Sequence, residues 1–113
     1  MGGASIKKGY KMSNPKSKDE MLNDFVSQVK CFAHYWQKLD VSDKEKCEGV
    51  AFSIMNIFDG TCGGFPCAVD LVLRPHPDDK QYNIDNQDDY VVDGMCINDE
   101  VHLHELLVSK ESK

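Results

Sequence analysis

Apolar residues along this chain first recur at helical spacing and then, past Gly64, begin to alternate. Leu22, Phe25, Val29, Phe32, Ala33 and Trp36 stand three or four positions apart, which predicts a helix running to about Leu39. Its start is marked by Ser17-Lys18-Asp19-Glu20, a capping box: the hydroxyl takes an orphan backbone N–H three residues on, and the Glu reaches back to the cap. A second box, Ser42-Asp43-Lys44-Glu45, opens another stripe made of Cys47, Val50, Ala51, Ile54, Met55 and Phe58. Asp59-Gly60 closes it, because glycine tolerates the left-handed residue that ends many helices. Two capped helices so closely joined are expected to fold back as an antiparallel hairpin.

The segment 61–66, Thr-Cys-Gly-Gly-Phe-Pro, continues no regular element and reads as a turn. In 68–73, Val69, Leu71 and Leu73 point one way and Ala68, Asp70 and Val72 the other, the pattern of a half-buried strand. Pro75-His76-Pro77-Asp78-Asp79 stops that strand. Short strands are expected at 81–84 and 90–92 around a turn at 85–88, then a short final helix capped by Asn98 and carrying Val101, Leu103, Leu106 and Leu107. The fold class expected is therefore α+β: an N-terminal antiparallel helix hairpin packed on a small antiparallel β-sheet, with a short C-terminal helix. It forms a single domain over 17–113 behind a flexible basic arm at 1–16, which in part reads as non-native residues ahead of Met12 as the natural start rather than as a targeting signal.

Composition bounds the function. The 113 residues suffice for one domain, and 41% hydrophobic with 28% charged residues is a globular balance. No apolar run approaches the roughly 20 residues that span a bilayer, and no signal-peptide pattern opens the chain. A net charge of −6 argues against nucleic-acid binding, which rewards clustered Lys and Arg. The charge is uneven: lysines crowd the start, and Asp78, Asp79, Asp85, Asp88, Asp89, Asp93, Asp99 and Glu100 crowd the last third. Five cysteines cannot all pair internally, so reduced thiols in a cytoplasm are the simplest account. Cys31 and Cys47 lie on or beside the helix stripes, as small hydrophobes.

Candidate chemistry is sparse. Asp89, Asp93, Gly94 and Glu100 match positions 1, 5, 6 and 12 of a calcium loop, but Val91 at position 3 has no side-chain oxygen, so a turn at Asp93-Gly94 is the better reading. Cys62 and Cys67 offer two thiolates to a metal with His76, or His102 and His104, completing the set. His102 and His104 are expected to point apart, two residues from each other on a helix. His76, Asp78 and Asp79, held between two prolines, form a candidate ligand-binding cluster. Asp85, Asp88 and Asp89 are candidate partner-surface residues, and Met21, Val26, Tyr35 and Phe52, off the main stripes, are candidates for a homodimer patch. No nucleophile elbow, zincin, phosphate-loop or dinucleotide signature occurs, so no catalytic residue and no cofactor are assigned.

The runs EGVAFSIMNIFDG, GGFPCAVDLVLRPHPDDKQY and INDEVHLHELL together resemble small uncharacterised proteins of bacterial genomes and their prophages. In that group an FSIL…LDG helix end, a PHPDDK turn and a terminal LHE recur in this order. The resemblance covers about the last two-thirds of the chain and implies a bacterial or prophage setting, with no activity attached. The chain departs from the pattern in ending LLVSKESK, without an aromatic after LHE. The function expected is a small cytoplasmic interaction module that meets a protein partner through its acidic loops. The alternative is a metal- or small-molecule-binding protein, perhaps an enzyme, centred on Cys62, Cys67 and His76.

Overall fold

The computed structural model describes residues 13–111 and builds them from four helices: α1 (Lys18–Gln37), α2 (Asp43–Asp59), α3 (Pro77–Asp85) and α4 (Leu103–Glu111). Both capping boxes form as their spacing requires, with Glu20 N–H donating to Ser17 Oγ and Glu45 N–H to Ser42 Oγ, each at 3.1 Å. Gly60 ends α2 in the left-handed region at φ 79°, and a Cβ there would press on Ala68. Of the expected basic arm, 1–12 lies outside the described residues. Residues 13–16 are exposed and irregular, and Lys16 Nζ pairs with Asp24 at 2.7 Å.

The helix hairpin is present. Phe25 stacks on Phe58 near its open end, and Trp36 meets Ser53 near its closed end, so α1 and α2 run antiparallel. Helix α2 is the centre of the molecule, since α1 packs on one side of it and α4 on another.

Its buried line is Gly49, Ser53 and Ile57, one position round from the apolar stripe that periodicity selects. Ile57 is the one fully buried large side chain among the described residues. The shift has a physical cause. Small residues at 49 and 53 let the Trp36 indole lie against the helix backbone, and its Nε1–H donates to Ser53 Oγ at 2.9 Å. A Cβ at Gly49 would overlap the indole ring. The second part of the core is aromatic: Phe65, from the turn after Gly64, sets its edge against Phe25 at 6.0 Å.

The expected α+β class is overturned. Among the described residues there is no strand or sheet, and the fold is helical. Residues 68–73 form no strand and join 94–98 through a single antiparallel bridge, Val72 with Cys96. Leu73 N–H donates to Met95 C=O at 2.9 Å and Ile97 N–H to Leu71 C=O at 3.0 Å. Pairing stops there because Gly94, at φ 86°, and Met95 both answer Leu73, and Asn98 then replaces the ladder with its side chain. That amide accepts from Leu71 N–H at 2.9 Å and donates to Val69 C=O at 2.8 Å. Asn98 is thus a buried bridge and not the expected helix cap.

The expected strand at 81–84 is part of α3, and 90–92 forms no strand. Pro77 is the first residue of α3, where its missing N–H costs nothing, and Asp78 and Asp79 lie in the positive first turn. Among the described residues, no helix is long and apolar enough to cross a membrane.

Candidate functional site

The residues singled out from sequence serve mainly as helix-end devices or exposed charges. His76 caps α3: its Nδ1 accepts from Asp78 N–H at 3.1 Å, while its C=O accepts from Asp79 N–H at 3.0 Å. The Asp78 carboxylate stands 3.9 Å from the same ring nitrogen, and all three side chains are exposed. Asp85 accepts from Gln81 Nε2 at 2.8 Å, one turn apart on α3, and Asp88 and Asp89 are exposed beyond its end. Lys80 Nζ lies 5.5 Å from the centre of the Tyr90 ring, a cation–π contact across the same loop.

Cys62 is half-buried, Cys67 is exposed and both are free thiols. Among the described residues no group of three or more His, Cys, Asp and Glu side chains is placed to hold a metal ion, so Cys62, Cys67 and His76 are not such a group. Cys31 and Cys47 are exposed rather than packed as small hydrophobes. Of the four off-stripe residues, Val26 and Tyr35 are exposed, while Met21 and Phe52 are half-buried.

The densest polar constellation is one that sequence reasoning passed over. Asp59, the last residue of α2, has a side chain with no exposed surface. Its carboxylate accepts from Leu103 N–H at 2.7 Å, from His104 N–H at 2.8 Å and from His104 Nδ1 at 2.5 Å. Asp59 thereby caps helix α4 from 44 residues away in sequence. Burial alone would raise the Asp59 pKa, but the two backbone donors and the His104 ring outweigh it and hold the carboxyl below its usual range.

The same carboxylate sits at the negative end of the α2 dipole, an unfavourable position, and at the positive end of α4, a favourable one. An acidic residue at a helix C-terminus and a later helix without a local cap were the two signals that could have been paired.

The expectation that His102 and His104 point apart is corrected. Because α4 begins at Leu103, His102 is still in the non-helical cap position, and the two rings stack with centres 5.9 Å apart and planes 23° from parallel. His102 Nδ1 lies 3.6 Å from Glu105, and the His104 ring meets the edge of Phe52 at 5.6 Å. With Nδ1–H turned to Asp59, His104 has the orientation of an acid–base histidine. The bond to Asp59 fixes the ring, and no hydroxyl or thiol among the described residues hydrogen-bonds to it as a nucleophile would.

Beyond Phe52 an apolar cleft of about 490 Å³ opens between α2 and α4. Trp36 forms one wall, Gly49, Ala51 and Phe52 another, and Leu107 and Val108 the third, with Glu45 and Glu48 at its edge. Comparison with protein-family models, curated proteins and solved structures finds no match for this chain.

Proposed function

We propose that the protein is an interaction module that binds a protein partner through the acidic face formed by 76–101. One observation carries this reading. Eight exposed carboxylates in that segment are accompanied by a single lysine, Lys80, and are interspersed with large apolar side chains left in water. Tyr82 is 66% exposed, Val92 52% and Ile97 49%. Carboxylates concentrated on one surface repel each other, and a partner bearing Lys or Arg relieves that repulsion while covering the apolar residues.

Asp85, Asp88 and Asp89 belong to this face, as does the acidic start of α3. Five free thiols support a reducing, cytoplasmic setting, and the likeness to bacterial and prophage proteins supports a bacterial or phage partner. Affinity capture with the wild-type protein and an Asp88→Asn/Asp89→Asn/Asp93→Asn variant, run side by side at low and high salt, tests the reading. The partner is expected to be retained by the wild type at low salt, and lost both at high salt and on the variant. Equal retention under all four conditions refutes it.

A further inference from the structure

We infer that two copies of this chain pair edge to edge through 68–74, antiparallel about a two-fold axis at Val72. This surface is neither the acidic face of 76–101 nor the helix patch expected from the sequence.

The backbone of the segment is used on one side. Val69 N–H donates to Phe58 C=O at 3.0 Å, and its C=O accepts from Asn98 Nδ2 at 2.8 Å. Leu71 N–H donates to Asn98 Oδ1 and its C=O accepts from Ile97 N–H, while Leu73 bonds Met95 C=O and Gly94 N–H, all at 2.9–3.0 Å. Val69, Leu71 and Leu73 thus have both backbone groups taken. Val72 and Cys96 form the non-hydrogen-bonded kind of antiparallel pair, bracketed by the Leu73–Met95 and Ile97–Leu71 bonds. The N–H and C=O of Val72 therefore point away from 94–98. Asp70 and Arg74, two residues to either side, share that direction by the period of two. All three residues are exposed, Val72 by 56%, and none has a hydrogen-bond or ion-pair partner among the described residues. A row of open donors and acceptors of this kind is a template for another chain.

The charges select the occupant. Only registers that set even-numbered residue against even-numbered residue can use these groups. Centred on Val72, an antiparallel second copy sets Val72 on Val72 and Asp70 on Arg74 at both ends, each pair exchanging two backbone hydrogen bonds. Arg74 is the single arginine of the chain, and at a rise of about 3.3 Å per residue Asp70 lies about 13 Å from it, too far to pair within one molecule. Across the axis their Cα atoms stand about 5.5 Å apart. Centring on Asp70 or on Arg74 sets like charge on like, and centring on Leu71 or Leu73 leaves Arg74 facing Ala68 or Val72. Hydrogen bonding and charge agree on one register. Pro75 does not interrupt it, since an odd-numbered residue directs its backbone to the other side.

Sedimentation of the full chain from about 10 μM to about 2 mM is expected to show a reversible dimer with Kd between about 10 μM and about 1 mM, as suits a small interface. Over the same range the Asp70, Val72 and Arg74 amides should gain protection from hydrogen exchange, while those of Leu71 and Leu73 are protected throughout. Asp70→Arg and Arg74→Asp each set like charges opposite one another at both ends, and should dimerise at least about tenfold more weakly at unchanged helicity. Mixed in equal amounts, the two variants should regain wild-type affinity, because both charged pairs of the mixed dimer are Arg on Asp. The exchange measurement needs no variant, so it decides even where a substitution disturbs the fold. Four results each overturn the proposal: a monomer up to about 2 mM; Asp70, Val72 and Arg74 amides fully protected in the most dilute sample; variants that associate as tightly as wild type; or a mixture no tighter than its components.

Discussion

Asp59 is the residue on which the attachment of α4 depends, and replacing it with Ala gives a worked prediction. The substitution leaves the Leu103 and His104 N–H groups and the His104 ring without their acceptor. Loss of a helix N-cap costs about 0.5–2 kcal/mol. Loss of the bond to the ring, a charge-assisted contact in a region where His104 is only 18% exposed, costs about 1–2 kcal/mol more. The expected total of about 1.5–4 kcal/mol is a large part of the 5–15 kcal/mol available to a domain, and the described residues include few fully buried side chains.

Because α4 touches the rest of the molecule mainly through α2, the damage should be local first. Amide hydrogen exchange of Asp59→Ala is expected to show α4 losing protection about 30-fold or more while the centre of α2 keeps most of its own, and thermal unfolding is expected to start about 10 °C lower. Asp59→Asn should do nearly as much harm, since its amide nitrogen points a donor at donors. If α4 amides exchange at wild-type rates in Asp59→Ala and the melting temperature holds within a degree or two, the capping argument is wrong.

The pH dependence of that contribution has a definite sign. The folded Asp59 pKa lies below its unfolded value of about 3.8, so its stabilisation is fully present above about pH 4 and disappears as the pH falls through the lower folded value; denaturation of wild type and Asp59→Asn should therefore converge in acid and differ at neutral pH. Gly49→Ala should overpack the indole and cost about 1–3 kcal/mol, with Trp36 emission shifting to the red as the ring is pushed out, whereas unchanged stability and emission would contradict the seat described above. Asn98→Ala should cost about 2–3 kcal/mol, because Val69 C=O and Leu71 N–H lose their partners together, measured by urea denaturation. Gly60→Ala forces a side chain into the left-handed region and should cost about 1–2 kcal/mol, read the same way.

The helix hairpin was legible because its signals are local: two capping boxes, two stripes and a glycine stop all act within a few residues. The buried line of α2 was not, because it is defined by a partner. Gly49 and Ser53 look like surface residues until the Trp36 indole is laid across them. The sheet failed for a different reason. Alternation in 68–73 matches the alternating burial there, with Val69, Leu71 and Leu73 half-buried between exposed neighbours, but a strand needs a second strand in register. The glycine at 94 and the side-chain bridge of Asn98 end the pairing after one bridge. In 76–85 a helix start lies in plain view, with proline at the first position and two acids behind it, but the apolar stripe that usually marks a helix is missing there, so the residues read as a turn and a short strand. The acidic face was visible as composition. The Asp59 clamp joins residues more than 40 positions apart, and neither end announces the other.

That clamp also gives the segments IFDG, PHPDDK and LHE a common physical meaning. IFDG is the C-terminal end of α2, PHPDDK is the N-terminal end of α3, and LHE is the N-terminal end of α4. The aspartate of the first reaches the leucine and histidine of the third, and the histidine of the second caps its own helix. Residues of that kind would ordinarily draw attention as acids and bases, yet here each is engaged in satisfying backbone groups that a helix end leaves open. The motifs therefore specify where helices stop, start and meet. Changing Asp59, His76 or His104 should therefore alter stability first, through the helix ends they satisfy.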